Sequence, residues 1–505
     1  VKNICREKKN YNNILKTYSM KTILDLEPKE VWSIFHELNQ VPRPSKKESK
    51  AVDFAYNYGK KLGLETFKDK IGNVIIRKPA TKGMEKRAGL IMQAHLDMVP
   101  QKNPDVKHNF ETDPIKTRVV GDLLYATGTT LGADDGLGVA SALAVLSSKT
   151  LKHGPLEALF TVDEETGMTG ARALKPGLLK GDILINLDSE TEGELYVGCA
   201  GGLDGTATFK FTTEKVPAGY AYKKIVVGGL VGGHSGMDII LYRANANKVL
   251  ARVLLPLLRD LNVRLVEISG GSIRNSIPRD AYAVVAIPSK SARKAAALIS
   301  KVFKEVKFEY QYTDKDLKIS TSNVKEKNPA IKKDTALNVV RAIYSCPNGV
   351  YRMCDTVPNF VETSNNMAIV KQEKNTILIH SLMRSSIDSE KFDLAEDMRA
   401  VFELAGAKFE CSGAYSGWQL DMNSPILKEA KEIYKKQFGK EAKVVAIHAG
   451  LECGILGQAY PKWDMISFGP TIFSPHSPDE RVNIESVGKL WKYLCALVEN
   501  APVKK

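Results

Sequence analysis

Between residues 72 and 188 the chain alternates strand-length apolar runs with helical stretches, and this alternation limits the available folds more than any other feature. GNVIIRK, AGLIMQAHLDMV, LEALFTV and DILINLD read as strands, and the alanine-rich GLGVASALAVLSS between the second and third reads as a helix. Strands joined by crossover helices predict an α/β domain with a mostly parallel sheet. Such a sheet has a working edge, because ligands bind outside the carboxyl ends of its strands.

The polar residues fall at that edge. His95 and Asp97, two apart in IMQAHLDMV, share one strand face near its end. LEALFTV runs into Asp163, Glu164 and Glu165, and DILINL runs into Asp188. LGADDG places Asp134 and Asp135 just before a helix. Taken singly, each has an ordinary explanation: a hydrogen-bonded core histidine, a helix cap, an acidic turn. Four such features at one edge of one sheet point instead to a metal site. Neighbouring carboxylates such as Glu164 and Glu165 repel, and in a closed site they need a positive charge beside them. Carboxylates with histidine and no thiolate suit zinc, manganese or cobalt. Two divalent ions carry four positive charges, and three ligating carboxylates leave about one, a balance suited to a two-metal hydrolase. One glutamate of the pair would then ligate while the other moves protons.

Other classes fit poorly. At 505 residues the chain predicts two or three domains. No apolar run reaches the length of a membrane span, and the basic N-terminal stretch lacks the apolar core of a secretory signal. Seven scattered cysteines without a CxxC pair argue against a disulfide framework or a thiolate zinc site, so a soluble cytoplasmic protein is expected. The net charge of +14 comes from dispersed lysines with no basic block, which speaks against a nucleic-acid partner. LGADDGLG and VGGLVGGHSG match neither a Walker pattern nor a clean GxGxxG, and no GxSxG elbow is present. Cys199 in VGCAGG reads as a packing residue.

Beyond Gly201 the texture changes. TATFKFTT and KKIVVGGLVGG read as strands and DIILYRANANKVLARVLLPLL as a helix, and a similar succession recurs through ARKAAALISKVFKEV, NTILIHSLMRSS, DLAEDMRAVFELAGA and KFECSGA. This predicts an inserted α+β domain built as two related halves. After Trp418 the α/β texture resumes. The expected layout is a basic extension over 1–25, a catalytic domain over 26–205 and 418–505, and a lid domain over 206–417.

The order HLD, LGADDG, DEETG, NLDSE, GGHSG, RNSIPR, MRSS, HAGLECG and PHSPDE resembles the aminoacyl-histidine dipeptidases, or cytosol non-specific dipeptidases, in the clan of two-metal peptidases that includes carnosinase and the aminoacylases. The resemblance runs from about Leu26 to the C-terminus and makes Met20 a candidate start. It implies hydrolysis of dipeptides, Xaa-His and broader, by a water bridging two ions, most simply zinc. His95 and Asp188 would hold one ion, Glu165 and His476 the other, with Asp134 bridging and a cis peptide between Asp134 and Asp135. Glu164 would be the general base, and Asp97 would orient His95. His234 would steady the oxyanion, Arg384 would clamp the substrate carboxylate, and Asn275 and Glu452 would contact substrate. The resemblance places the terminal metal ligand at His476 and not at His448. It leaves a homodimer open, and an N-acyl amino acid deacylase of the same clan is the alternative activity.

Overall fold

The computed structural model describes residues 21–325 and 327–504, so most of the expected extension and Met20 lie outside the described residues. The chain divides into two compact units. One comprises residues 1–197, 421–445 and 455–505, and the other comprises 198–420 and 446–454. The segment 446–454, expected in the catalytic domain, is grouped with the second unit. There the Ala200 N–H donates to the Ile447 and Ala449 carbonyls, and His448 meets Ser364.

The first unit is built on an eight-stranded sheet. Leu90–His95, Leu156–Thr161, Ile183–Asn186 and Asp464–Ser467 run parallel at its centre, and Val74–Lys78 with Glu65–Lys68 add an antiparallel edge. Leu90–His95, Leu156–Thr161 and Ile183–Asn186 are buried on both faces, which is why they read as unbroken apolar runs and not as alternating ones. Their register pairs His95 with Thr161 and Gln93 with Asn186, so the residues that follow each strand emerge at one edge.

Helix Ala133–Ser147 starts at that edge and is buried almost throughout. A small four-stranded sheet joins Thr117–Val120, Leu123–Ala126, Arg481–Asn483 and Ile472–Phe473. The loop between its last two strands in the chain, residues 474–480, carries His476 and Glu480.

The second unit holds a sheet whose main path runs Lys318–Asn323, Tyr220–Gly228, Ala281–Pro288, Arg264–Gly270, Val361–Glu373, Thr376–Ser385, Gly201–Lys210, Lys408–Tyr415. It falls into two groups of four strands, joined by the short pairing of Ser269 and Gly270 with Lys371 and Val370. Helices Ala246–Asp260 and Ala292–Glu309 back one group, and Lys333–Ser345 and Asp388–Leu404 contribute to the same apolar core.

The helix expected from Asp238 starts only at Ala246. DIILYR instead makes a short 3-10 turn, Ile239–Leu241, that stops where Tyr242 turns left-handed at φ 52°. Asn245 then caps the true helix, its side chain accepting from the Asn247 and Lys248 N–H groups.

Candidate metal centre

His95 ends its strand fully buried, and Asp134 opens the helix Ala133–Ser147 with the Asp134–Asp135 peptide in the cis form. One carboxylate oxygen of Asp134 lies 3.1 Å from His95 Nε2, and the other lies 3.1 Å from His476 Nε2. Asp188 Oδ1 lies 3.3 Å from His95 Nε2, and Glu165 Oε2 lies 3.0 Å from His476 Nε2. Asp134 thus faces two donor sets at once.

The donors fit divalent ions. Among the described residues, His95, Asp134 and Glu165 form one group able to hold a metal, and His95, Asp135 and Asp188 form another. Neighbouring ligands on an ion with bonds of about 2.0–2.2 Å lie roughly 3 Å apart, matching the spacings above. Glu165 Oε1 is buried without a hydrogen-bond partner, a cost that a cation would remove.

The two neighbouring glutamates are not equivalent. Glu165 belongs to a donor group and Glu164 to neither. Asp163 before them is left-handed at φ 54°, and its carboxylate accepts from the Thr166 and Thr169 hydroxyls, so the strand turns sharply into a one-turn helix, Glu164–Gly167. Asp97 holds that turn by accepting the Glu164 N–H at 3.0 Å and the Glu165 N–H at 3.3 Å. The same carboxylate lies 3.5 Å from His95 Nδ1, so Asp97 links both segments.

The electrostatics call for cations. Burial raises the Asp188 carboxyl well above its ordinary range, with Asp135 and Asp134 adding repulsion against the attraction of His95. Burial likewise raises Glu165, with Asp134 adding to it. Burial acts to lower both imidazoles, but the carboxylates win. His476 is pushed up to about 11 by Asp134 and Glu165, and His95 rises well above its usual value under Asp188 and Asp134. Each imidazole sits where a positive charge is wanted, whether proton or metal.

The sequence reading gave Asp135 no separate role and did not name Glu190, Arg43 or Glu480. Asp135 accepts the His95 N–H and the Gly138 N–H, which anchors the strand end to the helix start. Glu190 is raised to about 8 by burial and then by Asp134. Arg43 and Glu480 are charged residues with almost no exposed surface. Glu190 lies in NLDSE and Glu480 in PHSPDE, both among the motifs read from the sequence, whereas Arg43 carried no such signal.

In the second unit, His234 Nδ1 accepts from the Met237 N–H at 3.0 Å and the Gly236 N–H at 3.3 Å. This puts the ring proton on Nε2. Burial, and then Arg384, lower His234 to about 4, so it is neutral at pH 7. Arg384 is buried, its Nη1 donating to the Tyr415 hydroxyl and its Nε to Ser235 Oγ. Asn275 is exposed, and its carbonyl accepts the Ser235 N–H. Glu452 opens helix Glu452–Ala459 with no exposed surface. His448 belongs to no metal-donor group among the described residues; its Nε2 lies 2.7 Å from Ser364 Oγ.

The chain is 44% identical over 485 residues to the cytosol non-specific dipeptidase of Escherichia coli K12, covering 96% of this chain and all of that protein. The crystal structure of aminoacylhistidine dipeptidase from Vibrio alginolyticus superposes with a TM-score of 0.90 at 45% identity, covering 96% of this chain and 99% of that one. Aminopeptidase PepT from Bacillus cereus shares the fold at a TM-score of 0.56 and 17% identity, over 94% of this chain and 99% of that one. Residues 91–500 match the sequence pattern of Peptidase family M20/M25/M40. With two donor groups meeting at the strand ends of an α/β sheet and these relatives alongside, the chain belongs to Peptidase family M20/M25/M40.

Proposed function

We propose that the chain is a cytoplasmic metallo-dipeptidase that hydrolyses Xaa-His and other dipeptides with two divalent ions, zinc in the first instance. The observation that carries this reading is Asp134, whose two oxygens each face a different histidine. His95, Asp188 and Asp134 would hold one ion, and Glu165, His476 and Asp134 the other. The likeness to a cytosol non-specific dipeptidase of Escherichia coli and an aminoacylhistidine dipeptidase of Vibrio alginolyticus supports the substrate class, and the first of these supports the location.

Bound ions supply Lewis acidity to the scissile carbonyl and to the attacking water. Glu164 takes the proton from that water and hands it to the leaving amine. Asp97 fixes the ring of His95 and the backbone of the Glu164–Glu165 turn together, so base and ligands keep one geometry. In the second unit, which we assign as the lid, the neutral His234 offers an Nε2–H donor suited to an oxyanion. Arg384, pre-set by Ser235 and Tyr415, offers a fork for the substrate's terminal carboxylate. Asn275 is exposed for a substrate contact, and Glu452 would make its contact from the first turn of helix Glu452–Ala459.

The test is a panel of free dipeptides and N-acyl amino acids assayed with zinc, manganese and cobalt. Hydrolysis of free dipeptides is expected. Turnover of the acylated compounds alone would overturn the assignment.

A further inference from the structure

Arg43 lies in VPRPS, a stretch that the sequence explains only as a helix stop. In the fold its guanidinium is buried against three backbone carbonyls. Nη1 donates to the Leu96 carbonyl at 3.1 Å and to the Asp97 carbonyl at 3.0 Å, and Nη2 donates to the Gly132 carbonyl. From another direction Glu480, also buried, accepts four amides of the same loop. Leu131 N–H and Gly132 N–H reach Oε2 at 2.7 and 3.0 Å, and Ala133 N–H and Asp134 N–H reach Oε1 at 2.7 and 3.4 Å.

The pairing is chemically matched. A guanidinium only donates and a carboxylate only accepts, so the loop offers carbonyls to one and amides to the other. The glycines of LGADDG make room for this. A Cβ at Gly132 or at Gly136 would lie 2.5 Å from Arg43 Nη2, and one at Gly136 would also lie 2.9 Å from the Phe35 ring. Arg43 therefore ties the loop of Asp134 to the backbone just after His95. Glu480 ties it to the hairpin that carries His476. These are the two histidines that face the two oxygens of Asp134. Buried ions are costly wherever neutral packing would serve, so two of them on one loop point to geometry and not to stability.

We infer that Arg43 and Glu480 are positioning residues that grip the 131–134 backbone between them and set the spacing of the two metal-binding halves. This rests on the two-ion reading of the site. The test uses the full chain stripped of metal, as wild type and as Glu480→Gln, Arg43→Lys and Gly136→Ala. Zinc affinity is measured by competition with a chromophoric chelator, the cobalt form by its visible absorption, and the metal-free fold by circular dichroism and thermal melting.

The expected result is folded metal-free protein, zinc binding weakened about 10- to 100-fold in each variant, and altered cobalt absorption. At saturating zinc, kcat falls while KM holds. Zinc affinity and cobalt absorption unchanged from wild type would overturn the inference. So would variants unfolded without metal, since the residues would then serve the fold itself. Wild type that binds two ions yet cleaves no dipeptide would refute the proposed function, with the clamp still judged on the affinities.

Discussion

Glu164 and Glu165 are assigned different duties, and two isosteric substitutions separate them. Glu165→Gln removes a carboxylate from the set that faces His476, leaving that ion only His476 and the shared Asp134 as protein donors. With three ligating carboxylates against four positive charges the site carries about one net charge. After the substitution it carries about two, in a buried setting where excess charge is costly. The second equivalent of metal is expected to be lost on dialysis. Glu164→Gln leaves both donor groups intact, because Glu164 belongs to neither.

It should keep two ions and lose kcat by about 10²- to 10⁴-fold, which is roughly 2.7 to 5.4 kcal/mol on the barrier. The assay is metal content by mass spectrometry beside dipeptide turnover at saturating zinc. A Glu164→Gln protein holding one ion, or a Glu165→Gln protein holding two with a purely catalytic defect, would refute the assignment.

Three further outcomes are expected. Burial, and then Arg384, hold His448 down at about 3, so between pH 6.5 and 3 the unfolded chain binds a proton there that the native chain does not. Stability therefore rises with pH across that window. His448 alone costs about 2 kcal/mol on going from pH 7 to pH 5, and urea midpoints should show His448→Gln to be less acid-sensitive than wild type. Asp314 is fully buried, and its two oxygens accept the Val231 and Ala244 N–H groups that bracket the His234 loop. Asp314→Asn should destabilise the chain by roughly 1.5 to 3 kcal/mol in urea unfolding and lower kcat without changing metal content. Chelation should abolish activity and lower the melting temperature, because the carboxylates then face one another, and added zinc should restore both.

The strand-end carboxylates were legible because burial and polarity act on neighbouring residues. An apolar run that stops at Asp188 or at Asp163 records the sheet edge in one dimension. Arg43 was not legible, since its partners are backbone carbonyls at 96, 97 and 132, and carbonyls leave no trace in residue identity. The segment 446–454 clusters with the second unit although the strand Lys443–Ile447 runs into HAGLECG without any change of texture. The false start of the helix at Asp238 came from apolar DIILYR, whose spacing suits a helix while Tyr242 adopts a left-handed backbone that ends one.

The hairpin at 474–480 has a consequence for synthesis. His95, Asp134, Glu165 and Asp188 are all translated before residue 200, whereas His476 comes only after the whole of residues 198–420 has been made. At about 5 to 20 residues per second the interval is on the order of 15 to 60 s. Through that time the nascent chain carries a carboxylate cluster with only one of its two histidines. The side chain facing the second oxygen of Asp134, and the Glu480 carboxylate that accepts the 131–134 amides, are thus added only with the last part of the message.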